Sequence, residues 1–362
     1  MPLIVDAHED LAWNALSFGR DYTRSARLTR QLESGSATPA HAGQTMLGLE
    51  EYLQAQVAVI FSTLFVCPRR RQSGAWETQI YADAREAHRR YAEQLDHYRR
   101  LVDADTPFTL IGNRADLRAV LASWEDPTAS DRRRIGLVPL MEGADGIVEP
   151  EEAAWWMERG LRIIGLAWAG TQYAGGTGEP GPLTPQGRRL LGVMADIGLM
   201  LDLAHTSDAA YLEALDLFEG PVIVSHANPR ALMRNYARPE RLLSDNMIVR
   251  LAERGGVVGI MPHNDFLQAG WRRGDRRDAV TLERVVAMID HVCQLTGSAA
   301  HAGLGTDFDG GRGLDYMPAE LDSIADLPKV GAALRAHGYS EDAIAAILGQ
   351  NWLRVLEKGL PA

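Results

Sequence analysis

The feature that most constrains this chain is a regular alternation of short, β-rich apolar runs with longer stretches of helical period. Eight such runs occupy residues 3–5, 57–66, 135–141, 161–168, 199–204, 221–225, 256–261 and 302–305, mostly bounded by Gly, Pro or a polar residue. Segments of helical period fill residues 81–101, 187–197, 209–218, 242–254 and 282–295. Alternation of this kind implies right-handed βαβ units on a parallel sheet. Eight units predict an α/β fold of the closed (β/α)8, TIM-barrel type, spanning residues 1–362 as one domain. A flat doubly wound sheet is the competitor, but its first strand usually leads into a Gly-rich nucleotide turn. This chain has Asp6-Ala7-His8-Glu9-Asp10 there instead. Residues 340–360 open on a capping Ser and an acidic turn and read as a closing helix. The Gly- and Pro-rich stretch 171–185 reads as a loop on the strand-end face.

Composition narrows the function. A net charge of −11 excludes an extended nucleic-acid partner, and the Arg clusters at 69–71 and 132–134 are too short to reverse it. There is no apolar run of membrane-spanning length and no basic leader ahead of the first strand, so no membrane partner is expected. Cys67 and Cys293 make no disulfide framework, and a reducing cytoplasm is the simplest location.

A barrel gathers whatever its strands carry at their C-terminal ends. His8 and Asp10, two apart on an extended strand, project from one face at the end of the first run. Glu142 follows the third run, and His205 lies just beyond the fifth in Leu201-Asp202-Leu203-Ala204-His205. Ser225-His226 ends the sixth, His263 follows the seventh, and Asp307 follows the eighth in Gly305-Thr306-Asp307-Phe308-Asp309-Gly310. Each has a bland reading as well. His205 could be a neutral core histidine, His226 a helix cap, Glu142 a loop carboxylate, and Asp307 an Asx turn. His263, between Pro262 and Asn264, could sit in a turn. Independent accidents at so many strand ends are a poorer explanation than one shared metal site. Three histidines and two or three carboxylates exceed the needs of one tetrahedral ion, whereas two metals sharing a carboxylate use them all. A carbamylated lysine, the bridge in many two-metal barrels, is excluded because the only lysines are Lys329 and Lys358, far from any suitable strand end. Glu142 is then the candidate bridge.

These motifs resemble, in order and over residues 6–357, those of the membrane (renal) dipeptidase family of zinc metallopeptidases, within the amidohydrolase-like superfamily. Residues 351–356, Asn-Trp-Leu-Arg-Val-Leu, are similar to that family's C-terminal segment. The resemblance implies that His8 and Asp10 hold one Zn2+, His205 and His226 a second, and Glu142 both. It implies Asp307 as the catalytic acid/base and an Arg after the second His motif as the grip on the substrate carboxylate. Arg241 fits best, with Arg234 and Arg238 as alternatives. One departure stands out: where the family has a substrate-contacting His after the fourth strand, this chain has Trp168. Trp can donate one hydrogen bond but carries no charge. His263 is a partial substitute in that reading. The expected activity is hydrolysis of small dipeptides, L,D-dipeptides among them, by a hydroxide bridging the two ions. A homodimer is implied by the resemblance alone. Two alternatives stay open: an amidohydrolase acting on N-acyl amino acids or lactams, or by deamination, and a metal-binding barrel without catalysis.

Overall fold

In the computed structural model, which describes residues 2–104, 106–126, 128 and 130–362, the eight apolar runs each yield a strand. They are β1 (Ile4–Glu9), β2 (Val57–Leu64), β3 (Ile135–Met141), β4 (Ile163–Gly165), β5 (Met200–Asp202), β6 (Val222–Ile223), β7 (Val258–Ile260) and β8 (Ala302–Leu304). All pair in parallel, in the order β6-β5-β4-β3-β2-β1-β8-β7. A single parallel bridge, Val224 to Val258, brings the two ends of that order together. The result is a nearly closed TIM-type barrel. A short extra strand, Phe108–Leu110, pairs with the first half of β3.

Helices pack outside the strands, and three of those named next start on a side-chain cap. They include α1 (Leu11–Phe18), α2 (Ala84–Asp103), α3 (Pro185–Ile197), α4 (Asp208–Leu217), α5 (Asp245–Glu253), α6 (Leu282–Thr296) and α7 (Asn351–Gly359). Asp83 caps α2 by accepting from the Glu86 amide, Thr184 caps α3, and Ser244 caps α5. One large apolar cluster joins the strands to the inner faces of these helices. β1 and β2 are buried along their whole length, the signature of a parallel sheet covered on both faces.

The structure departs from expectation in two segments. Residues 171–185 are not wholly loop, because Ala174–Gly176 and Glu179–Leu183 form an antiparallel hairpin. Two glycines permit it: a Cβ on Gly175 would lie 2.0 Å from the backbone nitrogen of Gly181. The closing segment is not one α-helix either. It runs from Glu341–Ala345 through a π-helical stretch, Ala346–Gln350, into α7. Gly349 in that stretch packs so tightly on the start of β1 that a Cβ would meet the Leu3 carbonyl at 2.5 Å. The widened turn brings helix backbone onto strand backbone.

Candidate metal centre and cavity

Strand geometry delivers the first ligand pair. β1 extends through His8 to Glu9, so His8 points from the strand itself and Asp10 from the residue that opens α1. His8 Nε2 lies 3.9 Å from Asp10 Oδ2 and 3.7 Å from Glu142 Oε1. From the opposite side, His205 and His226 Nε2 lie 3.0 and 3.4 Å from the same Glu142 oxygen. Two groups of donor atoms therefore share Glu142: one with His8 and Asp10, the other with His205 and His226. A third, overlapping group comprises His8, His226 and Asp307.

An outer hydrogen bond dictates the tautomer of His226. Asp202 accepts from the Ser225 amide at 2.8 Å and from the Ser225 hydroxyl at 2.5 Å. With its only proton given to Asp202, Ser225 Oγ accepts from His226 Nδ1 at 2.9 Å. His226 then turns an unprotonated Nε2 inward, the tautomer a metal ligand needs. Thr177 Oγ1 lies 2.9 Å from His205 Nδ1 and holds that ring in place. The two Nε2 atoms stand only 3.0 Å apart, beside a carboxylate oxygen. Such a cluster of lone pairs is repulsive unless a cation sits among them. His8 Nε2 and Asp10 Oδ1 are also buried without a hydrogen-bond partner. The donor set, nitrogen and carboxylate oxygen only, fits zinc and its neighbours.

The electrostatics agree. Burial, with Arg241 nearby, pushes His8 down to about 3, so it stays neutral. Burial first, then repulsion by Asp307 and Asp309, holds Asp10 well above the usual carboxylate range, and burial followed by repulsion from Asp10 and Asp307 does the same for Glu142. Burial pushes Asp307 up to about 7, with Arg312 and Arg241 opposing. Backbone strain concentrates at the same place: His205 (φ 62°), Asp307 (φ 54°) and Asp309 (φ 62°) are left-handed. Non-glycine residues there cost about 1–3 kcal/mol each, and such strain persists where surrounding contacts fix it. A side chain at Gly310 would displace the Asp307 carboxylate, since a Cβ would lie 1.9 Å from Asp307 Oδ1.

Above the centre opens a cavity of about 470 Å3. Glu142, Asp10, His205, His226 and Asp307 face it from below. Arg241, buried at 5% exposure, lines it, with Nη1 donating to the His226 carbonyl at 2.9 Å. Arg238 lines the mouth and is exposed, whereas Arg234 is exposed and absent from the lining. Trp168 is half-buried in the wall, its ring 6.0 Å from that of His205. His263 is fully buried, its ring 6.2 Å from that of Phe266, and it is not among the residues that line the cavity.

Sequence reasoning assigned no role to several residues here. Asp202 and Ser225 lay inside quoted motifs, and their alternation with His205 and His226 was an available signal. Trp13, Phe65, Trp76, Tyr236, Arg312 and Tyr316 also line the cavity. They lie in helices or loops after the strands, where no period marks which side chains face inward.

Comparison with known proteins agrees with this geometry. The model of the membrane dipeptidase family (peptidase family M19) matches residues 1–359. An uncharacterised Klebsiella pneumoniae protein encoded in the pqqA 5′ region is 30% identical over 251 residues, 67% of this chain and 88% of its own. Dipeptidase tcpJ of Claviceps purpurea is 33% identical over 207 residues, 55% of this chain, which spans only 45% of that protein. Among solved structures, a metallopeptidase from Rhodobacter sphaeroides, liganded with a phosphinate mimic of the dipeptide L-Ala-D-Ala, superposes with a TM-score of 0.78 at 22% identity, covering 99% of both chains. The chain is an enzyme of the membrane dipeptidase family, peptidase family M19.

Proposed function

We propose that this enzyme is a binuclear zinc dipeptidase, built as one barrel domain over residues 1–362, that cleaves the amide bond of small dipeptides. The observation carrying the reading is the pair of three-residue donor groups that share Glu142. In this assignment His8 and Asp10 hold one ion, His205 and His226 the other, and Glu142 both. When bound, two divalent ions supply a nucleophile from water at neutral pH and polarise the scissile carbonyl.

The chain's own groups do the rest. Asp307, at the cavity floor beside His8 and His226, takes the proton released by the attacking water and passes it to the leaving amine. Arg241, whose position is fixed by the His226 carbonyl, turns its remaining N–H groups to the substrate carboxylate. The half-buried Trp168 packs on the substrate rather than bonding its scissile group. The L-Ala-D-Ala mimic carried by the Rhodobacter metallopeptidase makes L,D-dipeptides the first substrates to try. No helix among the described residues is long and apolar enough to cross a membrane, and the proposal places the enzyme in the cytoplasm, with a homodimer as its assembly. The test is a library of L,L and L,D dipeptides offered to zinc-loaded and chelator-treated protein. Zinc-dependent hydrolysis of part of the library is expected. A flat result would overturn the dipeptidase reading in favour of an N-acyl amino acid or lactam hydrolase.

A further inference from the structure

Two groups of side chains stand out in the cavity wall. Loops after β6 and β8 bring Arg238, Arg241 and Arg312, with Tyr236 and Tyr316. From α1 and the segments after β2 and β4 come four aromatic rings, Trp13, Phe65, Trp76 and Trp168, with Arg71, Ser73 and Glu77 beside them. These rings form a continuous surface. Trp168 packs on Phe65 at 5.1 Å, Phe65 lies 6.4 Å from Trp13, and Trp13 meets Trp76 edge-on at 6.4 Å. They belong to a small apolar cluster separate from the barrel core. Their packing therefore serves the cavity more than the fold.

Trp168 is held firmly at the inner end. The Thr177 amide donates to its carbonyl at 2.8 Å, and Thr177 Oγ1 is the group that fixes His205. Gly143 makes room on the other side, because a Cβ there would approach the Trp168 amide nitrogen to 3.1 Å. Trp168 thus stands 6.0 Å from the His205 ring, beside the proposed metal centre.

We infer that the aromatic side is the subsite for the amino-side residue of the substrate, and that the enzyme selects dipeptides whose first residue is aromatic or large and apolar, with Trp168 as the specificity-determining side chain. This rests on the dipeptidase reading above, since Arg241 anchoring the carboxylate directs the other end of the substrate across the centre to the aromatic side. Burying a Phe or Leu side chain that Gly or Ala lacks contributes enough to change kcat/KM by about tenfold or more.

The experiment compares kcat/KM for Gly, Ala, Leu, Phe and Trp dipeptides bearing one common C-terminal alanine, in its L and D forms, on the zinc-loaded enzyme. The Phe and Leu substrates should exceed Gly and Ala by about tenfold. Trp168→Ala should compress that ratio by a similar factor, and Trp168→Phe should keep most of it. Equal values across the wild-type series, or a Trp168→Ala variant that lowers every substrate alike, would overturn the inference. Calorimetric titration of chelator-treated protein with Phe-Ala and with Ala-Ala supplies a readout independent of turnover. Tighter binding of Phe-Ala alongside absent hydrolysis would sustain the subsite while sinking the dipeptidase reading. Indistinguishable binding together with absent hydrolysis would sink both.

Discussion

Two groups of cavity residues, the arginines after β6 and β8 and the rings of the β1–β4 side, come from the same kind of element, the segment that follows a parallel strand, yet they are held in different ways. The β6–β8 side presents guanidinium groups steadied by other protein groups: Arg241 by the His226 carbonyl, Arg312 by Asp265 at 3.1 Å. The β1–β4 side presents rings steadied by one another. A charged side can orient any dipeptide, because every dipeptide carries a terminal carboxylate. An aromatic side can only discriminate among side chains. In the proposed reading, orientation falls to the arginines and selection to the rings.

That division can be broken by experiment. The largest losses should fall at the centre and be blind to the substrate's side chains. Asp307→Asn should lower kcat by about 10²–10⁴-fold with metal content unchanged; wild-type turnover would remove Asp307 from the chemistry. Glu142→Ala should cut the bound zinc measured after dialysis by at least half, and activity with it, since both ions lose a ligand. An undiminished zinc content would refute the shared-ligand assignment. Next comes Arg241→Met, expected to lower kcat/KM by about 10–100-fold for every dipeptide, as loss of a charge-assisted contact requires. A loss that depended on the first residue would undo the division between the two sides. Asp202→Asn should weaken zinc binding by about 10–100-fold without touching substrate, because it frees the Ser225 hydroxyl that sets the His226 tautomer. The smallest effect belongs to Arg238→Ala at the exposed mouth, at most about fivefold, and it should fade with added salt.

The same contrast separates what the sequence discloses from what it hides. The centre was legible because its residues stand at the ends of apolar runs, where a strand's length and a period of two decide where a side chain points. His8, Asp10, Glu142, His205, His226 and Asp307 all meet on this basis. Arg241 was harder, because three arginines in eight residues are equivalent in sequence. Only the folded loop buries one and leaves the others exposed. His263 also follows a strand, but it is fully buried and lies outside the cavity lining. The aromatic side was invisible, since Trp13, Phe65 and Trp76 adjoin only through long-range packing. In the fold, the helices at Ala26–Glu33, Thr38–Ala42 and Leu49–Ala55 escaped for lack of a long apolar period. The π-helical stretch escaped because its cause, Gly349 against Leu3, spans nearly the whole chain.

Asp6 adds a temporal consequence to this geometry. Its carboxylate receives both the amide and the hydroxyl of Thr306, 300 residues away, and this clasp pins β8 beside β1. Two positions on from each clasp partner lie His8 and Phe308, and Asp307 stands between Thr306 and Phe308. Contacts so distant along the chain are among the last a folding polypeptide can form, since the loop they close is the most costly in entropy. The segment before Thr306 carries His8, Asp10, Glu142, His205 and His226, while Asp307 joins them only where the eighth strand lies beside the first.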